Sequence, residues 1–124
     1  MMPIRFRSKT AGRYGKRPVK GEMTQAEAAY AELLFARKHA GEIVRWYFQA
    51  MTFVLAEGCR FTPDFAVEFP DGTMELIDAK GGGPIADDAL VKIKCAAEKF
   101  DQFGWAIEQR RSKKDGGGFE RREF

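Results

Sequence analysis

The sequence contains few of the residues that form disulfide frameworks or zinc sites. Its 124 residues include two cysteines, Cys59 and Cys95, and a single histidine, His39. The cysteines are far apart and belong to no CxxC pair, which favours reduced thiols over a disulfide or a zinc site. The position of His39 near the end of a predicted helix favours an interaction with the helix dipole over a catalytic role.

Long apolar runs are also missing. No stretch approaches the ~20 consecutive apolar residues that a membrane-spanning helix needs, and no charged-then-apolar leader opens the chain. We therefore expect a soluble cytoplasmic protein with no membrane partner. A length of 124 residues and a hydrophobic share of 44% predict one α/β domain with a single modest core.

Acidic residues are absent from the first twenty positions, which carry seven lysines and arginines. Positions 110–124 add six basic and three acidic residues, so positions 21–109 hold eight basic and fifteen acidic ones. Basic ends around an acidic body favour binding to a polyanion such as DNA. A solvated tail that only aids solubility is the alternative. The candidate phosphate-binding residues are Arg5, Arg7, Lys9, Arg13, Lys16, Arg17, Lys20, Arg110, Arg111, Lys113 and Lys114.

The pattern along the chain predicts the order α-β-β-β-α-β after an irregular, mobile basic arm at 1–21. The first helix begins after Thr24 and ends at about 38–40, since Thr24 and Glu27 fit a capping box. Apolar and alternating stretches at 43–48 and 51–56 predict the first strand, and those at 61–69, 73–79 and 105–108 predict the other three. A second helix starts at Asp87 or Asp88, runs to about Phe103, and exposes Lys92 and Lys94, which are further candidates for binding nucleic acid. The tail at 110–124 is expected to form a loop or frayed hairpin that is partly docked.

The predicted hairpin around residues 70–72 carries the chemistry. If its strands pair, Asp64 lies near Asp78, and Lys80 shares a face with Asp78 because strand side chains alternate. Two adjacent carboxylates favour a bound cation, and oxygen ligands without clustered histidine or cysteine favour Mg²⁺ or Mn²⁺. The carbonyl of Ala79 is a further candidate ligand, and Lys80 would orient or deprotonate the attacking water. A solvated surface hairpin remains the alternative.

Glu27 has two possible roles. As the third residue after Thr24 it fits a cap for its own helix. It is also an acidic group that could point toward the hairpin site. The residues alone leave both roles open.

These motifs resemble the PD-(D/E)XK nuclease superfamily, and small phage-encoded endonucleases in particular. The resemblance covers about residues 24–107 and rests on Pro63-Asp64, Asp78-Ala79-Lys80 and an upstream helical glutamate. It implies a restriction-endonuclease-like fold over 22–109, with a mixed central sheet flanked by helices. It also implies Asp64 and Asp78 as metal ligands, Lys80 as the catalytic lysine and Glu27 as an added ligand or water-positioning group. A phage-encoded enzyme of this kind would act in the host cytoplasm.

The expected function is therefore Mg²⁺-dependent endonuclease cleavage of DNA, with branched or structured DNA as one possible substrate. The alternatives are a non-catalytic DNA-binding or accessory subunit, and a nuclease subunit active only within a larger phage assembly. A homodimer is expected, because a 124-residue chain has little room for substrate recognition. The glycine run at 81–83 departs from the family pattern and predicts a flexible exit from the strand that carries Lys80.

Overall fold

The computed structural model describes residues 4–6 and 23–124. In these residues the chain forms eight strands, two α-helices and a short 3-10 turn, Lys113–Asp115. The elements in chain order are β1 (Ile4–Phe6), α1 (Gln25–His39), β2 (Arg45–Phe48), β3 (Met51–Ala56), β4 (Cys59–Phe61), β5 (Phe65–Glu68), β6 (Met74–Lys80), α2 (Asp87–Lys99), β7 (Gly104–Arg110) and β8 (Phe119–Glu123). The protein is therefore an α+β protein.

The central element is a mixed five-stranded sheet with the order β2-β5-β6-β7-β8. Strands β6 and β7 are parallel, and the other neighbours are antiparallel. The parallel pair is connected by α2, as a parallel connection requires a crossover. A smaller antiparallel sheet has the order β1-β3-β4.

The two helices cover opposite faces of the five-stranded sheet. Helix α1 buries Tyr30 and Leu34 in a cluster with Phe65 and Ile77. Helix α2 buries its own apolar face in a second cluster, which includes Leu76 and reaches the small sheet. Because strand side chains alternate, consecutive residues of β6 enter different clusters. Asp78 and Lys80 therefore project on the same side as Leu76, toward α2.

Local signals in the sequence predicted several elements correctly. Thr24 is the N-cap of α1, and its capping box with Glu27 is present. Strand β3 has the bounds of the predicted stretch 51–56, although β2 and β3 are two strands in different sheets rather than the one strand that the predicted order counts. The hairpin turn is also confirmed, since the Gly72 N–H donates to the Phe69 carbonyl (2.9 Å) and Gly72 adopts a φ of 88°.

The prediction of one strand over 61–69 was wrong. The segment divides into the end of β4 and the whole of β5, which belong to different sheets. The break falls at Thr62–Asp64, where Pro63 has no N–H to donate to a ladder. Asp64 is consequently the residue just before β5 rather than part of a continuous strand.

The second helix also differs from the prediction at both ends. Its N-cap is Ala86, which makes no side-chain capping bond, so neither Asp87 nor Asp88 is the cap. Both aspartates lie in the first turn, where negative charge favours the helix dipole. The helix ends at Lys99 rather than near Phe103, because Phe100 leaves the helical conformation with φ −121° and ψ 57°.

The chain ends are more regular than predicted where the structure describes them. Residues Ile4–Phe6 pair with Met51–Phe53, so these three residues form a strand rather than part of an irregular arm. Residues 1–3 and 7–22, with most of the predicted basic arm, lie outside the described residues. The C-terminal tail forms the hairpin partner β8, and Phe119 and Phe124 pack against the two clusters. Among the described helices none has the length and apolar character to span a bilayer.

Candidate active site

Asp64 and Asp78 are brought together by the β5–β6 hairpin. In this hairpin Phe65 lies opposite Ile77. Asp64, the residue before Phe65, therefore lies next to Asp78, the residue after Ile77. The Asp64 N–H donates to Oδ1 of Asp78 (3.0 Å), and the Ala79 N–H donates to Oδ2 of Asp64 (3.0 Å). Each carboxylate thus accepts a backbone N–H from the opposite segment, and this reciprocal pair fixes the orientation of both groups. The predicted proximity of Asp64 and Asp78 is confirmed.

Both aspartates are buried, with 9% of Asp64 and 5% of Asp78 exposed. Burial raises the pKa of Asp64 to about 9, and the charges of Asp78 and Glu27 add to the effect. Burial also raises the pKa of Asp78, against the opposing effect of Lys80. Two acids held in this way are destabilising when both are ionised. The arrangement therefore favours uptake of a proton or a cation.

Glu27 is both a helix cap and a neighbour of Asp64. Its Oε1 accepts the Thr24 N–H (2.9 Å), while its own N–H donates to Oγ1 of Thr24 (3.1 Å). It also raises the pKa of Asp64 through its charge and a side-chain hydrogen bond. The structure thus confirms the capping role and brings Glu27 to the aspartate pair, so the two roles are compatible.

Lys80 lies at the end of β6, two residues beyond Asp78. Its Nζ is 3.5 Å from Oδ2 of Asp78, and 34% of its side chain is exposed. Lys80 therefore contacts one member of the buried pair, and part of its side chain is open to solvent.

Gln109 is a part of this region that the sequence did not reveal. It lies opposite Lys80 in the parallel β6–β7 register. Its side-chain amide donates to the carbonyls of Gly81 (3.1 Å) and Gly83. These bonds tie down the glycine run that was predicted to be flexible. Since the acceptors are main-chain carbonyls, the only sequence signal was a polar residue at the end of a core strand.

The oxygen donors of Asp64 and Asp78, with Glu27 near Asp64, suit a hard cation in their chemistry, since neither histidine nor cysteine is among them. The buried like charges of Asp64 and Asp78 supply a reason to bind one. In the described part of the chain, however, no group of three or more histidine, cysteine, aspartate or glutamate residues has the arrangement of a metal site. Ala79 contributes its N–H to the pair, and its carbonyl remains only a predicted ligand.

Apart from Arg5 in β1, the predicted phosphate-binding residues that the structure describes fall into two groups. Arg110 ends β7, and the basic turn that follows it contains Arg111, Lys113 and Lys114, all of them exposed. Because β6 and β7 are parallel, this turn leaves the sheet at the same end as Lys80. Lys94 is exposed on α2 and Lys92 is half-buried there. The turn at 110–114 is thus the basic surface that the topology brings to the site's end of the sheet.

Comparisons with known proteins give no relatives for this chain. No protein-family model, no curated protein and no solved structure matched it.

Replacing Asp64 by asparagine should stabilise the metal-free protein. Because the pKa of Asp64 is raised in the folded state, unfolding becomes easier as the pH rises from about 4 toward 9. The asparagine side chain can still accept the Ala79 N–H but carries no charge. We expect Asp64→Asn to raise the free energy of unfolding by roughly 1–2 kcal/mol at pH 8 and to flatten its pH dependence. Urea denaturation at several pH values in EDTA measures both.

Asp71→Asn is the matched control, since it changes an aspartate in the turn of the same hairpin. Hydrogen bonds from Thr73 lower the pKa of Asp71, so its carboxylate favours the folded state above its ordinary pKa. The control should therefore give no gain in stability at pH 8. An equal gain in the free energy of unfolding in both variants would contradict a destabilising effect specific to the buried Asp64 carboxylate.

Proposed function

We propose that this protein is a metal-dependent endonuclease that hydrolyses phosphodiester bonds in DNA. The observation that carries the proposal is the reciprocal pair of buried aspartates, with Lys80 Nζ 3.5 Å from Asp78. Buried carboxylates of raised pKa beside a lysine are more typical of catalytic sites than of surface hairpins. The pair also lies at the end of the sheet where the exposed basic turn at 110–114 begins.

The proposed site divides the work among a few groups. Asp64 and Asp78 would hold Mg²⁺ or Mn²⁺, with Glu27 as a further ligand or as the group that positions water. Such an ion supplies charge stabilisation at the phosphate and lowers the pKa of a bound water. Lys80 would orient the attacking water and offset the negative charge that develops in the transition state. Gln109 would hold the conformation of the glycine loop that follows Lys80.

The arrangement of elements supports a restriction-endonuclease-like, PD-(D/E)XK core as the finer description of the fold. A helix with an acidic residue near its start precedes the hairpin that carries both aspartates and the lysine. A second helix then connects the catalytic strand to a parallel strand. These features agree with the resemblance that the sequence motifs carry.

A non-catalytic DNA-binding or accessory subunit is the second candidate. The observation in its favour is that the described residues contain no ready-made group of three or more metal-ligating side chains. In that case the basic surfaces would bind DNA, and the aspartate pair would be a vestige or a structural feature. Activity only within a larger assembly is a related possibility that the same experiments address.

Cleavage of DNA should require both Asp78 and Lys80. Asp78→Asn retains an acceptor for the Asp64 N–H but loses charge, and Lys80→Met removes the ammonium group with little change in length. We expect each variant to cut at least about 100-fold more slowly than the wild type in Mg²⁺ or Mn²⁺. The assay would offer single-stranded, duplex and four-way-junction DNA, with the matching RNAs.

Asp71→Asn is again the control, because Asp71 lies on the same hairpin but away from the pair, and it should cut normally. Mn²⁺ should also raise the melting temperature of the wild type and not of Asp78→Asn, which tests metal binding without activity. Equal cutting by wild type and variants would show that the assigned site is wrong. Binding without cutting by the wild type would favour the accessory function.

The two roles of Glu27 should separate in three variants. Glu27→Gln keeps an acceptor for the Thr24 N–H but removes the charge, so stability should change by less than about 0.5 kcal/mol while cleavage falls. Thr24→Ala loses the cap hydroxyl, which should cost about 1 kcal/mol while cleavage is retained. Glu27→Ala should show both losses. Thermal melts and initial cleavage rates on the same preparations measure the two effects, and wild-type cleavage by Glu27→Gln would limit this residue to capping.

The basic arm should contribute a salt-dependent share of DNA affinity. A variant with serine at Lys9, Arg13, Lys16 and Arg17 leaves Ile4–Phe6 in place. On duplex DNA, its plot of log affinity against log salt should flatten by about 0.9 for each phosphate that the variant no longer neutralises. Lys38→Ser removes one exposed charge outside the predicted surface and should not change the slope. An unchanged slope in the arm variant would favour the solubility role instead.

A further inference from the structure

Strand β8 forms one edge of the five-stranded sheet. The Phe124 N–H donates to the Trp105 carbonyl (3.0 Å), and the Arg111 N–H donates to the Gly118 carbonyl (2.9 Å). Backbone N–H and C=O groups alternate in direction along an antiparallel strand, so those of the even-numbered residues of β8 form the hydrogen bonds to β7. The N–H and C=O groups of residues 119, 121 and 123 therefore point outward. Among the described residues, no strand pairs with that side.

The edge is held rigidly from within its own sheet. Arg121 forms ion pairs with Glu75, with Glu108 (3.1 Å) and with Glu123 (2.8 Å). Phe119 packs edge-on against Tyr30, with ring centroids 5.1 Å apart. These contacts fix β8 as a preformed template, in contrast to a frayed tail. A partner strand would meet little additional ordering cost on this side.

The sequence of this edge is suited to pairing with itself. Residues 119–124 read Phe-Glu-Arg-Arg-Glu-Phe, so Arg121 has an acidic residue, Glu120, on one side and a basic residue, Arg122, on the other. Side chains of Glu120 and Arg122 lie on one face, and both residues are exposed. A two-fold axis perpendicular to the sheet would place a second copy of β8 antiparallel to the first and keep the faces matched.

The outward N–H and C=O groups belong to residues 119, 121 and 123. Hydrogen bonds between two copies of β8 therefore form only in registers that place an odd-numbered residue opposite an odd-numbered residue. A register centred on residue 120 would place Glu120 opposite its own copy, and one centred on 122 would do the same with Arg122. A register centred on Arg121 pairs 119 with 123 and places Glu120 opposite Arg122 on both sides of the axis. These two positions form non-hydrogen-bonded pairs, in which side chains approach most closely. Arg121 is turned to its own carboxylates, which offset the like charge of its copy.

We propose that two copies of this chain associate through β8, in the register centred on Arg121, to join their five-stranded sheets. Main-chain hydrogen bonds at residues 119, 121 and 123 would provide the pairing, and the two Glu120–Arg122 pairs would select the register. This strand addition is a recurrent mode of association. The partner is a second copy because the complementarity is internal to the strand.

The proposed dimer has a consequence that rests on the proposed nuclease function. Asp78 lies opposite Ile107 in β7, and Ile107 lies opposite Arg122 in β8. Because the two-fold axis would pass at Arg121, Asp78 lies one residue from the axis along the strand direction. Five strand spacings separate β6 from its copy, which puts the two sites about 24 Å apart across the sheet. Both would be on the α2 side. Such a dimer would present two sites to one nucleic-acid molecule.

Charge exchange at the edge tests the interface. Sedimentation equilibrium of the full chain should show a wild-type dimer, with a dissociation constant at least tenfold weaker for Arg122→Glu and for Glu120→Arg. The double variant Glu120→Arg/Arg122→Glu restores both pairs and should restore the dimer. Lys38→Glu makes the same charge change as Arg122→Glu on exposed helix surface and should remain dimeric. Circular dichroism confirms that each variant is folded.

A monomeric wild type at all concentrations would overturn the proposal and would mean that the charges protect this edge from pairing. A dimer unaffected by either single exchange would equally overturn it. Asp78→Asn should remain dimeric, so the interface and the proposed nuclease function fail or succeed separately.

Discussion

The candidate site depends on the exchange of two backbone hydrogen bonds between Asp64 and the Asp78–Ala79 segment. Such bonds favour ionised carboxylates, yet burial and mutual repulsion act against them, and the raised pKa of Asp64 shows which effect is larger. The geometry persists because the neighbouring ladder residues, Phe65 and Ile77, are fully buried. Packing of the hairpin therefore holds together two acids that would otherwise separate.

The break at Thr62–Asp64 makes this exchange possible. A continuous strand over 61–69 would keep Asp64 in a regular ladder. Instead β4 ends at Phe61 and joins the small sheet, while β5 starts at Phe65 in the large one. The change of sheet leaves the Asp64 N–H directed at a side chain, and its carbonyl accepts the Gln49 N–H (2.8 Å). Pro63, which has no N–H to lose, is suited to this connection.

How far each feature could be predicted depends on how local its cause is. The Thr24 cap and the hairpin turn are set by residues within three or four positions of each other, and both were predicted correctly. The approach of Asp64 to Asp78 was also predictable, because a short turn fixes the register of a hairpin. The sheet change at Pro63, the ordered β8 strand and the contacts of Gln109 depend on partners far along the chain. Sequence patterns do not encode such partners, and the same holds for the burial that raises the pKa of Asp64.

The protein contains a second acidic cluster, and its comparison with the first bears on the proposed metal. Glu75, Glu108 and Glu123 converge on Arg121, whose pKa is raised by these carboxylates against the opposing effect of its burial. That cluster holds its own cation and is complete as a structural element. At the other cluster, Lys80 contacts Asp78, while burial and the charges of Asp78 and Glu27 raise the pKa of Asp64.

The orientation of the oxygens points the same way. Asp64 and Asp78 each commit one oxygen to a backbone N–H, and Glu27 does the same through its cap. Each group is thereby fixed in orientation while its second oxygen takes no part in that bond. Lys80 contacts Asp78, and the raised pKa of Asp64 means that a proton, or a bound cation in its place, balances the second acid. The two clusters therefore differ in how their charge is balanced: by Arg121 within the fold at one, and by an exchangeable proton or cation at the other.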